Sequence, residues 1–174
     1  MACNIVQGRE IDCRDSVGGI LEVYLTEFTN VPQANITASS GVITAATCSS
    51  GKRFFTYQLE KENASMTVKE MVSVENGTLY NEQTLTFTLK KMSASLRNNI
   101  RTLAQNRLHV IVKDANSTYH WLGQVNGVDL TAADGTTGKA MGDMNGYTLT
   151  FTGKEPNAPN TVSAAIVASL QIGS

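Results

Sequence analysis

The chain has 174 residues, a length that indicates one domain able to bury a sizeable core. Its 14 basic and 15 acidic residues give a formal net charge of −1, which argues against nucleic-acid or membrane-surface binding as the main activity. The cysteines Cys3, Cys13 and Cys48 are widely spaced, which favours free thiols over a disulfide framework. The N-terminal residues lack the pattern of a signal peptide, and no apolar run predicts a membrane helix.

The first third of the chain is expected to contain an arm and several strands. Residues 1–18 are irregular in pattern and predict an arm, and Gly18-Gly19 then releases a strand whose Leu21, Val23 and Leu25 share one face. Pro32 and the Ser/Gly residues that follow predict a loop. The predicted strands of this part are 20–28, 41–47 and 52–59.

The most informative segment is 64–89, which reads as two alternating runs on either side of Asn76-Gly77. Asn-Gly between alternating runs is the strongest short-range signal for a β-hairpin. Strands of about twelve residues at about 3.3 Å per residue predict a ribbon roughly 40 Å long, about the diameter of a compact domain of this size. We therefore expect the hairpin to project beyond the core of its own subunit.

The hairpin is expected to divide into two parts at a polar pair. A two-residue turn would place Glu70 opposite Gln83 in the middle of the otherwise apolar face. Residues on the near side of this pair would pack on the protein's own core. Beyond it, Val72, Val74 and Leu79 would need a second surface to cover them. These five residues are the candidates for assembly contacts, and a solvated polar patch on a surface ribbon is the alternative.

One helix is predicted over 93–105, where Ser93 or Ser95 can cap the N-terminus. Its single apolar stripe contains Leu96, Ile100 and Leu103. Further strands are expected at 107–113, 118–125, 147–152 and 161–172. Asn126-Gly127 gives a second hairpin signal, and the Gly-rich residues 132–146 are expected to be irregular.

The residues that carry chemistry do not form a catalytic pattern. His109 and His120 fall on predicted strands beside apolar neighbours, which favours structural roles over a metal pair. The same scarcity of histidine argues against a Ser-His-Asp arrangement. Ser49 and Lys52 match a Ser-x-x-Lys motif, but they lie in a predicted turn instead of a helix-borne pocket.

The Gly-rich segment near the C-terminus suggests two kinds of ligand loop without matching either. Gly138-Lys139 lacks the glycine and the Ser/Thr that a phosphate-binding loop requires at fixed spacing. Asp129, Asp134 and Asp143 could bind a metal ion weakly, although a role in stabilising turns is the favoured interpretation. We therefore expect no enzymatic activity, no cofactor and no metal.

Together, about nine strands and one helix predict a mainly β fold of a single domain, 1–174. A β-sandwich or barrel with the helix over an open edge or end, and with the long hairpin projecting, is the simplest architecture.

Four segments carry a resemblance to a known family. They are Cys13–Ile20 leading into a strand, the helix followed by Val112-Lys-Asp114, Trp121–Gly127 and Gly142–Pro156. Together they cover roughly half of the chain. Their order of turns and strands resembles that of the tail tube proteins of tailed bacteriophages, a family shared with contractile injection systems.

The resemblance implies a β-sandwich whose hexameric rings stack into a hollow tube. The tube would be made in the host cytoplasm, belong to the virion tail, and let DNA pass without specific binding and without a membrane partner. Other partners would be the tape-measure, baseplate and tail-terminator proteins. The hairpin 64–89, the loop 130–145 and the arm 1–18 would be the contact elements. The acidic candidates for lining the lumen are Glu60, Glu62, Glu75 and Glu82, together with Glu70.

Two alternatives remain beside this interpretation. The chain could be another virion part, such as a tail terminator, a head–tail joining protein or a capsid decoration protein. It could instead be a carbohydrate-binding β-domain, which would want exposed aromatic residues on one face. Trp121 is the large aromatic candidate for such a face.

Overall fold

The computed structural model describes residues 8–9 and 14–172 of the chain. These residues form eleven strands and two α-helices, arranged as two stacked sheets. The strands are β1 (Ile20–Glu27), β2 (Ile36–Ser39), β3 (Val42–Ala46), β4 (Phe55–Gln58), β5 (Ala64–Ser73), β6 (Thr78–Lys90), β7 (Leu108–Asp114), β8 (Tyr119–Leu122), β9 (Asp129–Thr136), β10 (Gly146–Glu155) and β11 (Asn160–Val162). The helices are α1 (Ala94–Gln105) and α2 (Ala164–Ile172). The predicted mainly β, sandwich-like fold is confirmed.

The two sheets differ in size and in the order of their strands. The larger sheet has seven strands in the order β2-β3-β11-β8-β7-β1-β4, and the smaller has four in the order β5-β6-β10-β9. Neighbours are antiparallel except for β3 and β11, which pair in parallel. Among the described strands, β4 and β2 end the larger sheet, and β5 and β9 end the smaller one, so each sheet has two open edges.

Each face of the larger sheet has its own core. Between the two sheets, Leu85 and Phe87 of β6 and Phe151 of β10 pack against β1 and β7 and are fully buried. On the opposite face, Trp121 and the residues around it pack under α2. The strands β1 and β7 are therefore buried on both faces, and they form the rigid centre of the molecule.

The helix α1 confirms the prediction for 93–105. The Ser93 hydroxyl accepts a hydrogen bond of 3.1 Å from the backbone N–H of Leu96, as an N-cap should. Ile100 and Leu103 are buried against the core between the sheets. Asn106 ends the helix in an extended conformation.

The strand predicted at 161–172 is wrong beyond its first residues. The chain leaves β11 at Val162, and α2 follows immediately. The Ser163 hydroxyl accepts a bond of 3.4 Å from the N–H of Ile166, which starts the helix. A short run that is apolar all round has no helical or strand period, and alanine, its commonest residue, favours the helix.

Several other boundaries differ from the prediction. The loop expected after Pro32 contains β2, and the irregular segment 132–146 begins with the end of β9. Asn126-Gly127 does not form a hairpin, because β8 and β9 belong to different sheets and this segment crosses between them. A β-bulge at Leu21 turns Ile20 instead of Leu21 toward the core.

Candidate assembly surface

The β5–β6 hairpin is longer than the sheet that supports it. The strand β10 ends at Glu155, which faces Asn81, so the rest of β6 pairs with β5 alone. We call residues 71–80 the tip of the hairpin. The base consists of 64–70 and 81–90.

The base belongs to the core of the protein. Leu85 and Phe87 are fully buried between the sheets, and Ala64 and Met66 of β5 pack against them. The ring of Phe87 stacks on Phe151 with centroids 5.5 Å apart. The base therefore cannot move without opening the sandwich.

The tip is uncovered. Val74 is 91% exposed, Val72 66% and Leu79 60%, and Met71 is also exposed. Monomeric proteins seldom gather several large apolar side chains at a projecting point, because such exposure costs stability or marks a contact surface. A two-stranded ribbon without a core is also marginally stable in water.

The register of the hairpin is shifted by two residues from the predicted one. Glu70 faces Asn81 instead of Gln83. A shift of two residues keeps every side chain on its predicted face, because side chains alternate with a period of two. It does change the polar pair, since Glu70 is exposed whereas Gln83 is buried.

The turn is the cause of this shift. The chain turns through residues 74–77, and the two-residue turn expected at Asn76-Gly77 is wrong. The Ser73 hydroxyl accepts bonds from the backbone N–H and the side-chain amide of Asn76, at 3.4 and 3.1 Å. Gly77 has φ of +61°, the left-handed conformation that closes such longer turns.

Gln83 joins the hairpin to two loops of the same protein. Its side-chain amide donates to the carbonyl of Asn157 at 3.2 Å, and its oxygen accepts from the N–H of Gly123 at 3.1 Å. Both partners lie in loops of the same subunit. Gln83, predicted as an assembly residue, therefore holds the hairpin to its own body.

A buried carboxylate reinforces the same region. Glu155 accepts hydrogen bonds from the backbone N–H groups of Val125, Asn126 and Gly127 at 2.8 to 3.3 Å. Burial raises the pKa of this carboxyl group, and the three N–H donors counteract part of that rise. The bonds fix the crossover between the two sheets directly beside the point where the tip begins.

The acidic residues predicted to line a lumen do not share one face. Glu60 and Glu62 lie in the connection 59–63 before the hairpin, and Glu60 pairs with Lys90. Glu75 lies in the turn at the other end, beyond a strand of roughly 33 Å. Glu82 is on the outer face of β6, opposite Lys69.

Threonine side chains cover the middle of the outer face of the smaller sheet. Hydroxyl pairs join Thr86 to Thr150 at 3.5 Å and Thr88 to Thr148 at 3.2 Å across β6 and β10. Thr131 of β9 continues the row through Thr152 at 3.2 Å. The middle of this face is polar and uncharged, and among the described strands both edges of its sheet are open.

A groove of about 440 Å³ lies between the open edge of the larger sheet and α1. Leu25, Leu103 and Leu108 are among its lining residues, and Phe55 and Tyr57 of the edge strand β4 also line it. Phe55 is 55% exposed. The groove is therefore a concavity with an apolar floor and an accessible aromatic ring, and polar side chains such as Asn99 and Thr102 complete its lining.

The two histidines lie far from any catalytic arrangement in the described part of the chain. The Nε2 of His109 is 3.2 Å from the carbonyl of Val31, and its Nδ1 accepts from the Trp121 indole at 3.2 Å. Burial lowers the pKa of His109 to about 4, so the ring is neutral near pH 7. Trp121 itself is fully buried and offers no surface to a carbohydrate.

Asp143 stabilises a turn through hydrogen bonds to backbone N–H groups. Its carboxylate accepts from the N–H groups of Lys139 and Ala140 at 2.7 and 2.8 Å, which lowers its pKa. Within residues 8–9 and 14–172, no three His, Cys, Asp or Glu side chains group as a metal site requires. Ser49 and Lys52 meet through a backbone turn, with the N–H of Lys52 donating to the Ser49 carbonyl at 2.9 Å.

Part of the predicted arm is held by the body. Asn116 accepts from the backbone N–H of Val17 at 2.9 Å and donates to its carbonyl at 2.8 Å. Cys3 and Cys13 lie outside the described residues, whereas Cys48 is buried and its thiol donates to the carbonyl of Leu170 at 3.9 Å. The predicted contact loop 130–145 is reduced to 137–145, because β9 extends to Thr136.

The chain was compared with protein families, curated proteins and solved structures. No family model, no curated protein and no solved structure matches it. Neither helix of the described residues is long and apolar enough to cross a membrane. The case for a function therefore depends on the geometry of the hairpin, the open edges and the groove.

Proposed function

We propose that the protein is a non-enzymatic structural subunit that assembles into rings and a hollow tube, as the tail tube subunits of tailed phages do. The observation that carries the proposal is the uncovered tip of the hairpin. It is rigidly anchored at its base, yet it presents Val72, Val74 and Leu79 to solvent.

Covering the tip would supply a driving force for assembly. Full burial of an aliphatic side chain of this size contributes about 1.5–3 kcal/mol. Three such side chains on each subunit provide several kcal/mol for each contact, and a tube repeats that contact many times. The energy is then shared by a cooperative polymer, so a modest single contact is sufficient.

The open edges of the smaller sheet favour the same conclusion. Both β5 and β9 present unpaired backbone groups along one side. Such edges are prone to uncontrolled pairing unless another strand covers them. Pairing of β5 of one subunit with β9 of the next would remove both edges and close a ring.

The threonine face is the surface we assign to the lumen. In a ring closed through β5 and β9, one face of the smaller sheet packs on the core and the other faces inward or outward. The hydroxyl surface in the middle of this face carries no positive charge to hold the phosphates of DNA, and the margin lysines Lys69 and Lys154 lie opposite Glu82 in the ladder. We propose that this face lines the channel, with Glu82 at its margin, instead of the scattered acidic residues predicted from sequence.

Electron microscopy of the concentrated protein tests the proposal directly. We expect rings or hollow tubes in negative stain. A protein that remains monomeric by light scattering up to millimolar concentration would contradict it. Tubes that form in the absence of nucleic acid would also fit the neutral surface of the proposed lumen.

Variants of the tip connect the assembly to the hairpin. Val74→Lys with Leu79→Lys should abolish assembly and leave monomer unfolding nearly unchanged, because both side chains are exposed. Val42→Lys is the matched control, since Val42 is a 45% exposed valine far from the hairpin in sequence and in another sheet. If the control and the double variant lost assembly equally, the tip would have no special role.

The virion partners follow from the same proposal. A tail tube subunit would meet a tape-measure protein inside the tube, and baseplate and terminator proteins at its two ends. A terminator, joining or decoration protein with the same fold would form single rings or isolated contacts. Long stacked tubes in the micrographs would distinguish a tube subunit from these alternatives.

A further inference from the structure

The tip cannot reach the groove of its own subunit. The groove-lining residue Tyr57 contacts Phe87 of the hairpin base, with ring centroids 6.5 Å apart. Leu79 lies eight residues further along the same strand, which places it roughly 26 Å away. Because β6 is one uninterrupted strand, the tip and the groove of one copy stay well apart, and they can meet only between two copies.

The tip and the groove both present apolar surface. The tip is a ribbon end that carries Val72, Val74 and Leu79. The groove has a floor of aliphatic side chains, the exposed ring of Phe55, and polar side chains such as Asn99 among its lining. An apolar projection and a concavity with an apolar floor are the two halves of a typical buried contact.

The charges around the two surfaces are opposite. Lys52 and Arg53 directly precede β4, both are exposed, and the Arg53 guanidinium lies 5.3 Å from the centre of the Phe55 ring. Among the described residues, neither has an acidic side chain within ion-pair distance. Glu27 is the charged residue in the lining itself, so Glu27 together with Lys52 and Arg53 beside Phe55 gives a net charge of +1 for these three residues.

The tip carries the complementary charge. Glu75 lies in the turn and Glu70 at the boundary with the base, and both are exposed. Lys69 is offset by Glu82 directly opposite it in the ladder. Lys154 lies 5.7 Å from the centre of the Tyr80 ring and offsets one further carboxylate, so the end of the hairpin keeps a net negative charge, which suits a partner with a positive margin.

We propose that the hairpin tip of one copy seats in the groove between β4 and α1 of a second copy. Val74 and Leu79 contact Phe55 and the aliphatic lining, while Glu75 approaches Arg53. This inference rests on the proposed function and names the surface that receives the tip. The contact joins two different surfaces, so it propagates head to tail and produces closed rings or filaments instead of symmetric dimers.

Cysteine cross-linking between copies tests this contact. Val74→Cys and Asn99→Cys, combined with Cys3→Ser and Cys13→Ser, place one thiol on the tip and one on the groove wall formed by α1. We expect a short bifunctional maleimide to give a ladder of dimers, trimers and larger species. The matched pair Val74→Cys with Val42→Cys should remain uncross-linked.

Reversing the charges of Glu75 and Arg53 tests the same contact a second time, without a cysteine on the groove wall. Glu75→Lys and Arg53→Glu should each raise the concentration required for assembly about tenfold, which corresponds to 1.4 kcal/mol. The double variant should recover to within about threefold of the wild type, because the pair is restored with its sign exchanged.

The outcomes separate this inference from the proposed function. Tubes that form without a 74–99 cross-link and without rescue in the double variant would overturn the inference and leave the tube in place. A protein that never assembles would overturn both. Equal cross-linking at residues 42 and 99 would also overturn it, because the contact would then be unspecific.

Discussion

The base and the tip of one hairpin show how a single strand serves two purposes. Leu85 and Leu79 are both leucines on the same face of β6, but the first is fully buried and the second is 60% exposed. The change occurs at Asn81, where the pairing of β6 with β10 ends. The sequence pattern is the same in both parts, so the exposure of a residue depends on the length of the neighbouring strand.

The largest effect on stability is expected from truncating a buried side chain in the base of the hairpin. Leu85→Ala should lower the free energy of unfolding by about 3 kcal/mol, within the range of 2–5 for buried leucine truncations. The cause is the cavity left against the aromatic pair of the core. Urea unfolding followed by tryptophan fluorescence measures it, since Trp121 is buried in the folded protein. A loss below 1 kcal/mol would mean that the base is not packed as described.

Acid should weaken the body that holds the base. His109 has a pKa of about 4 in the folded protein and about 6.5 when unfolded, so between these values the unfolded chain binds more protons. Stability is therefore full above pH 6.5 and falls by about 3 kcal/mol as the pH drops to 4. The raised pKa of Glu155 acts in the opposite direction and reduces this fall.

A histidine variant isolates the effect. His109→Gln should flatten the pH dependence of unfolding between 6.5 and 4, although it lowers stability at neutral pH. A wild-type slope in this variant would assign the acid sensitivity to other groups.

The link between the hairpin and the crossover segment should have an intermediate effect. Glu155→Gln replaces one carboxylate oxygen with an N–H donor that faces backbone donors, so we expect a loss of about 2 kcal/mol. Hydrogen exchange should accelerate at Val125, Asn126 and Gly127, whose N–H groups it accepts. Glu82→Gln is the control on the sheet surface and should leave these amides protected.

The smallest effect is expected at the tip. Leu79→Ala should change the unfolding free energy of the monomer by less than about 0.5 kcal/mol, as is usual for exposed positions. The same substitution should weaken assembly, measured by light scattering across a concentration series. If Leu79→Ala destabilised the monomer as much as Leu85→Ala, the tip would be packed on its own subunit.

Local patterns predicted those elements whose signals lie within a few residues. The hairpin 64–89 and the helix after Ser93 were both found, because alternation and an N-cap are local features. The hairpin register was wrong by two residues, since the turn is set by Ser73 and Asn76 as well as by the Asn-Gly pair. The predicted division of the hairpin into a buried part and an exposed part is still seen, because a register shift of two residues leaves every side chain on the same face of the ribbon.

The remaining features depend on contacts between distant residues. The strand β9 has a weak strand pattern and forms because β10 supplies a partner. The internal role of Gln83 requires Gly123 and Asn157, which are 40 and 74 residues away. The groove likewise combines Phe55 with Asn99, so no local spacing could have indicated it.

The continuity of β6 has a mechanical consequence. From Asn81 to Lys90 the strand is paired residue by residue with β10 on one side, and as far as Phe87 it is also paired with β5 on the other. A pull on the tip runs along the strand axis, so it loads these backbone hydrogen bonds together in shear instead of opening them one by one. Force applied to the projecting end of the hairpin would therefore be resisted by the whole smaller sheet.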